Sequence, residues 1–131
     1  MSDLTEFVNQ YVSQLEGPNS DNAFHSLIEA SPNCLPLLQR ACEGEKSASL
    51  RARIIEVMSH FRCEESAGFF AEMLYSTDAP VWKASVDALV RIGGRKARVV
   101  LEAAKAHFEK ERPSTSEQLE WTIEAIAQLR K

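Results

Sequence analysis

Apolar residues recur along this chain at intervals of three and four, and no segment sustains a two-residue alternation. The first period belongs to a helix with one buried side, the second to a strand. Leu4, Phe7, Val8, Tyr11, Val12 and Leu15 predict a first helix over about 3–16. Asp3 and Glu6 stand at capping-box spacing, and Gly17-Pro18-Asn19 stops the run. Phe24, Leu27 and Ile28 predict a short second helix over about 21–30. Ser31 then reads as an N-cap ahead of Pro32, whose missing N–H costs nothing in a first turn. The third helix carries Leu35, Leu37, Leu38, Ala41 and Cys42 and ends at Gly44. Further stripes predict helices over about 47–61, 64–75, 80–92 and 96–110, with Gly93-Gly94 ending the sixth. A last helix, introduced by the spacing of Ser114 and Glu117, carries Leu119, Trp121, Ile123, Ile126 and Leu129. All connections are short, which favours antiparallel neighbours. The chain reads as all-α, with eight helices in four hairpins.

The stripes also repeat. Ala52, Ile54, Val57 and Met58 superpose on Ala84, Val86, Leu89 and Val90 with a shift of 32. Leu119, Ile123, Ile126 and Leu129 superpose on Trp82, Val86, Leu89 and Ile92 with a shift of 37. One helix pair recurring at such a period cannot bury its apolar side alone, so copies must stack.

The segment 78–104 resembles the phycobilisome-lyase subtype of HEAT repeat. That pattern has an aspartate-proline turn, a valine, alanines, an Ala-Leu pair and an Ile-Gly end before a second amphipathic helix. Asp78, Pro80, Val81, Ala84, Ala88-Leu89, Ile92-Gly93 and Leu101 fill those positions. Where the subtype often has arginine after the valine, this chain has Trp82. The family's polar ladder between that arginine and the turn aspartates is therefore not carried over to this position. Trp82 is expected between layers, or, if exposed, as an anchor for a partner. The likeness is strongest over this repeat, extends to 47–75, and fades at both ends, where caps belong. It implies a short right-handed α-solenoid of about four antiparallel helix pairs, a HEAT-like superhelix formed by residues 1–131 as one domain. It also implies a scaffold for another macromolecule, with a chromophore-attaching lyase or lyase-accessory subunit as the enzymatic alternative.

Composition narrows the picture. The 131 residues suit one domain, and 44% apolar with 26% charged residues is ordinary for a folded protein. The amino terminus is acidic, with no apolar signal core, and no apolar run approaches the roughly 20 residues of a membrane span. A cytoplasmic location follows as an expectation. Cys34, Cys42 and Cys63 have no framework spacing and are expected as free thiols. The net charge of −4 disfavours a nucleic-acid partner. Yet five basic residues and one acid lie between Lys83 and Arg98, a local +4 that leaves −8 for the rest. Lys96 and Arg98 open a helix, where positive charge is unfavourable. Phosphate or nucleic-acid binding at 91–98 is therefore a second alternative.

Catalytic chemistry needs groups that converge. His60 and Cys63 are three apart, but zinc needs two further ligands, for which only Cys34 or Cys42 offer themselves, and neither CxxC nor HExxH occurs. His25, His60 and His107 lie on separate helices, and no serine or cysteine has a nucleophile motif. Neither catalytic residues nor a metal or cofactor are predicted. In HEAT-like stacks the second helix of each pair lines the concave side. Off their stripes, these helices offer Arg51 and Ile55, then Lys83, Asp87 and Arg91, then Glu120, Glu124 and Gln128, with Trp82 beside them. This series runs from basic to acidic and would orient a bound protein or peptide. The function expected is a non-enzymatic protein-interaction scaffold: adaptor, inhibitor or chaperone-like. Weak self-association through an exposed end near Trp121 and Leu129 is a further expectation.

Overall fold

The structure, a computed structural model, describes residues 2–111 and 116–129. These form α1 (Ser2–Val12), α2 (Ser20–Ile28), α3 (Leu35–Gly44), α4 (Ala48–Ser59), α5 (Ala67–Leu74), α6 (Ala79–Ile92), α7 (Gly94–Glu111) and α8 (Glu117–Leu129). Short 3₁₀ turns, Pro32–Cys34 and Glu64–Ser66, lead into α3 and α5, and no strand occurs among the described residues.

Local chemistry places the ends. Ser31 Oγ accepts from the Asn33 N–H (3.1 Å), Ser47 Oγ from Leu50 (3.2 Å) and Ser116 Oγ from Leu119 (3.2 Å). Each satisfies a backbone donor that a helix start leaves free. Pro80 sits in the first turn of α6, and Gly93 ends that helix at φ 62°, where a side chain would be strained. The side chain of Asp3 and residue Ser114, half of each predicted capping box, lie outside the described residues.

Consecutive helices pair as α1–α2, α3–α4, α5–α6 and α7–α8. The even-numbered helices also pack in a row, α2 on α4, α4 on α6 and α6 on α8. Odd-numbered helices pack as α1–α3 and α5–α7, without a comparable contact between α3 and α5. Helix α6 therefore touches α4, α5, α7 and α8, and its Val81, Val86 and Leu89 are among the most buried side chains.

Burial repeats with the chain and corrects one register. Cys34, Leu38 and Cys42 are buried as are Ser66, Phe70 and Leu74, a shift of 32 that also superposes the two 3₁₀ turns. In the even helices the shift is 31, not 32: Ile54, Ile55, Val57 and Met58 match Ser85, Val86, Ala88 and Leu89, all buried. The predicted 32 would set buried Ile55 against exposed Asp87. The lost residue lies in the path from one helix of a hairpin to the other. The shift of 37 to α8 holds, with Trp82, Ser85, Ala88 and Leu89 matching Leu119, Thr122, Ala125 and Ile126. The hydroxyls at one of these positions behave alike, Ser85 donating to Val81 O (2.8 Å) and Thr122 to Gln118 O (2.7 Å).

Ile55, Val86 and Ile123 thus share one repeat position, fully buried in α4, 2% exposed in α6 and 45% exposed in α8. Ile55→Ala should cost about 2–5 kcal/mol by urea denaturation, because it empties a packed site. Ile123→Ala, measured in dilute solution, should stay within about 0.5 kcal/mol of the parent.

Candidate interaction face

Helix α6 lies mid-row, and Lys83, Asp87 and Arg91 recur on it every four residues, one above the other. Two grooves flank it. The α4–α6 groove, of about 340 Å³, is lined by Arg53, Glu56, Ser59, Ala84, Asp87 and Arg91, among others. The α6–α8 groove, of about 280 Å³, is lined by Val86, Asp87, Val90, Trp121, Glu124 and Gln128, with Ala125. Asp87 borders both.

The corrected register explains this layout. Glu56, Asp87 and Glu124 occupy one repeat position, so each of three successive even helices contributes a carboxylate. Their neighbours differ. Arg53 pairs with Glu56 (2.8 Å) and Asp21 (4.0 Å), and lies 4.2 Å over the Phe24 ring. Arg91 stands one turn from Asp87. In α8 the matching positions hold Trp121 and Gln128, so Glu124 has no cation on its own helix. Lys83 bridges α6 to α8 through Glu117 (3.4 Å), with its ammonium 5.6 Å from Trp82 and 5.4 Å from Trp121. The two indoles meet edge to face at 5.7 Å. Exposed ion pairs of this kind contribute about 0.2–1 kcal/mol each, so orientation is their main effect.

Among the described residues, neither Asp87 nor Glu124 has a hydrogen-bond or close ion-pair partner. Groove walls withdraw water from Asp87 and push its pKa above the ordinary aspartate range; Arg91 pulls it down and Glu56 adds to the rise. Desolvation, reinforced by Arg91, holds His60 below the usual histidine value.

The predicted site residues divide. Lys83, Asp87, Arg91 and Glu124 come together on the face. Glu120 is exposed but lines neither groove. Ile55 and Trp82 are corrections: at 0% and 5% exposure they belong to the core, because their repeat positions point between layers. Arg51 turns inward as well. Its guanidinium reaches Asp78 (3.6 Å) and Met73 Sδ (3.4 Å), while Nε is buried without a partner. The shift of 31 puts Arg51 at the position of Trp82, one hairpin earlier, and it meets the turn aspartate of the next hairpin. Arg53, Glu56 and Trp121 were not among the face residues read from the sequence; the shift of 31, applied to Asp87, selects Glu56, while the expected Gln128 does line the α6–α8 groove.

The basic turn faces acids of its own chain. A Cβ on Gly94 would stand 3.4 Å from Glu64 Oε1. Glu65 is held below the usual carboxylate range, first by the Cys63 thiol that donates to it (3.0 Å), with Lys96 adding to the effect. The histidines pack edge-on against rings, His25 and His60 on Phe24, His107 on Tyr75. Burial pushes the Cys42 thiol up to about 11 and raises that of Cys34, so neither supplies the reactive thiolate at neutral pH. Among the described residues no group of three or more His, Cys, Asp and Glu is placed to hold a metal, and no helix is long and apolar enough to cross a membrane.

Compared with protein-family models, with curated proteins and with solved structures, the chain gives no match.

Three measurements check this geometry. The carboxyl carbon of Asp87, followed by NMR, should titrate above the ordinary aspartate midpoint; Arg91→Gln should raise it further and Glu56→Gln should lower it. A carboxyl with a raised folded-state pKa opposes folding once it ionises. Asp87→Asn should therefore add stability at pH 7, and the gain should vanish at a pH below the unfolded aspartate pKa. Of the three thiols, Cys63 alone should react with a thiol reagent in the native protein, Cys34 and Cys42 only on unfolding.

Proposed function

We propose that the chain is a non-enzymatic interaction module, a short HEAT-like stack of four helix pairs whose even-helix face receives an extended segment of a partner protein. The observation that carries this reading is the pair of grooves sharing Asp87, with a carboxylate from each of three successive layers. Toward α4 and α6 those carboxylates have Arg53 and Arg91 beside them; toward α8 they do not. A segment bound across the row would set a lysine or arginine in the α6–α8 groove, against the Trp121 ring and between Asp87 and Glu124. An aromatic face and two carboxylates both favour a cation. Its acidic or polar end would lie by Arg91. The recurring hairpins, the row of even helices and the Arg51–Asp78 tie between layers support the HEAT-like reading. Three free thiols suit a reducing, cytoplasmic setting.

A photo-crosslinking residue at Gln128 should capture a discrete partner in cells, whereas one at the exposed odd-helix position Glu72 should not. Asp87→Lys with Glu124→Lys should reduce that capture at least about tenfold, the scale of one lost charge-assisted contact. Equal capture from both positions, or capture indifferent to the double substitution, overturns the reading.

A further inference from the structure

A further groove lies where the ends of α5 and α7 meet the start of α8. It encloses about 350 Å³ and is lined by Tyr75, His107, Phe108, Glu111 and Gln118, among others. It shares no lining residue with either groove beside α6. Three of its side chains are aromatic, and their rings stand at steep angles to one another. Tyr75 meets His107 at 5.0 Å and 90°, and Phe108 at 5.5 Å and 49°. His107 and Phe108 are 5.5 Å apart at 70°. Phe108, 7% exposed, fixes this cluster to the core, whereas Tyr75 is left 42% exposed, with free ring surface.

The polar groups around these rings are acceptors. Glu111 is exposed and has no ion-pair partner among the described residues. It stands one turn beyond His107, on the same side of α7. Gln118 Nε2 donates to Leu74 O (3.2 Å) and Ser76 O (3.5 Å), which leaves that side chain its Oε1, an acceptor. Among the described residues that line the groove, none is a lysine or arginine, and Lys110 of the last turn of α7 is not one of them. Carbonyls in the last turn of a helix add partial negative charge. Ring faces, a carboxylate and carbonyls all attract a cation. A small metal ion or a bare ammonium holds its water tightly, whereas an alkylated ammonium is bulky, weakly hydrated and apolar at its rim. We propose that this groove binds an alkylated ammonium group, its methyls against Tyr75 and its charge beside Glu111. A free quaternary ammonium compound and a methylated lysine side chain share that chemistry.

The test is NMR of the ring protons of the full chain at pH 8, titrated with tetramethylammonium chloride against matched sodium chloride. Tyr75 and Phe108 signals should shift and saturate below about 50 mM, with a Kd in the millimolar range that so few atoms in an open groove support. Tyr75→Leu and Glu111→Gln, both at exposed positions, should each weaken binding at least about threefold, with unchanged helical content by circular dichroism. The uncharged alcohol in which carbon replaces the nitrogen of choline should bind at least about fivefold more weakly than choline. Choline and a short peptide carrying trimethyllysine, titrated side by side, tell the two sources apart by which binds more tightly. The absence of a saturating shift, equal binding of choline and its uncharged counterpart, or binding indifferent to both substitutions overturns the proposal. None of these readings depends on the partner face across α4, α6 and α8.

Discussion

No helix pair in this chain encloses its own apolar side, and the rest of the structure follows from that constraint. The fully buried residues of α4 and α6 recur at matched positions because each is covered by the next layer. Helix α6 has neighbours on both sides of the row and beneath it, and Val81, Val86 and Leu89 are consumed in those contacts. Where the row ends, the same position becomes exposed at Ile123. The apolar term, about 25 cal/mol per Å² buried, favours covering such a surface wherever a complementary one is available.

Polar groups refine this stacking without driving it. Arg51 stretches over Met73 to Asp78, tying α4 to the turn within the next hairpin. Ser85 and Thr122 turn their hydroxyls onto their own helices and so stay satisfied in the core. With the interior settled this way, the remaining positions of the even helices are free to carry charge. The carboxylate recurring as Glu56, Asp87 and Glu124 is one result: a solvent-side position repeats because the core positions beside it must repeat.

Much of the fold was legible. Apolar spacing identified the eight helices found among the described residues, and Ser31-Pro32 and Gly93 marked ends through local backbone chemistry that needs no tertiary partner. The site was legible only in part. Lys83, Asp87 and Arg91 followed from helical spacing within α6. Ile55 and Arg51 were misread because the buried side of α4 is wider than its apolar stripe: it takes in Ile55 beside Ile54 and draws the Arg51 guanidinium to Asp78. Trp82 is polar-tipped and amphipathic, a residue whose side cannot be read from spacing alone.

Period, caps and turns are local properties, and the sequence alone determined them: all-α, paired helices, a repeated unit. Which side of each helix faces its neighbours depends on the length of every connection between them, to the residue. Only the tertiary packing decided that α4 and α6 step by 31 and not 32, that Arg51 points inward to Asp78, and that Trp121 stands beside Lys83. A helix turns by about 100° per residue, so a difference of one residue in a connection separates a core position from a solvent-facing one.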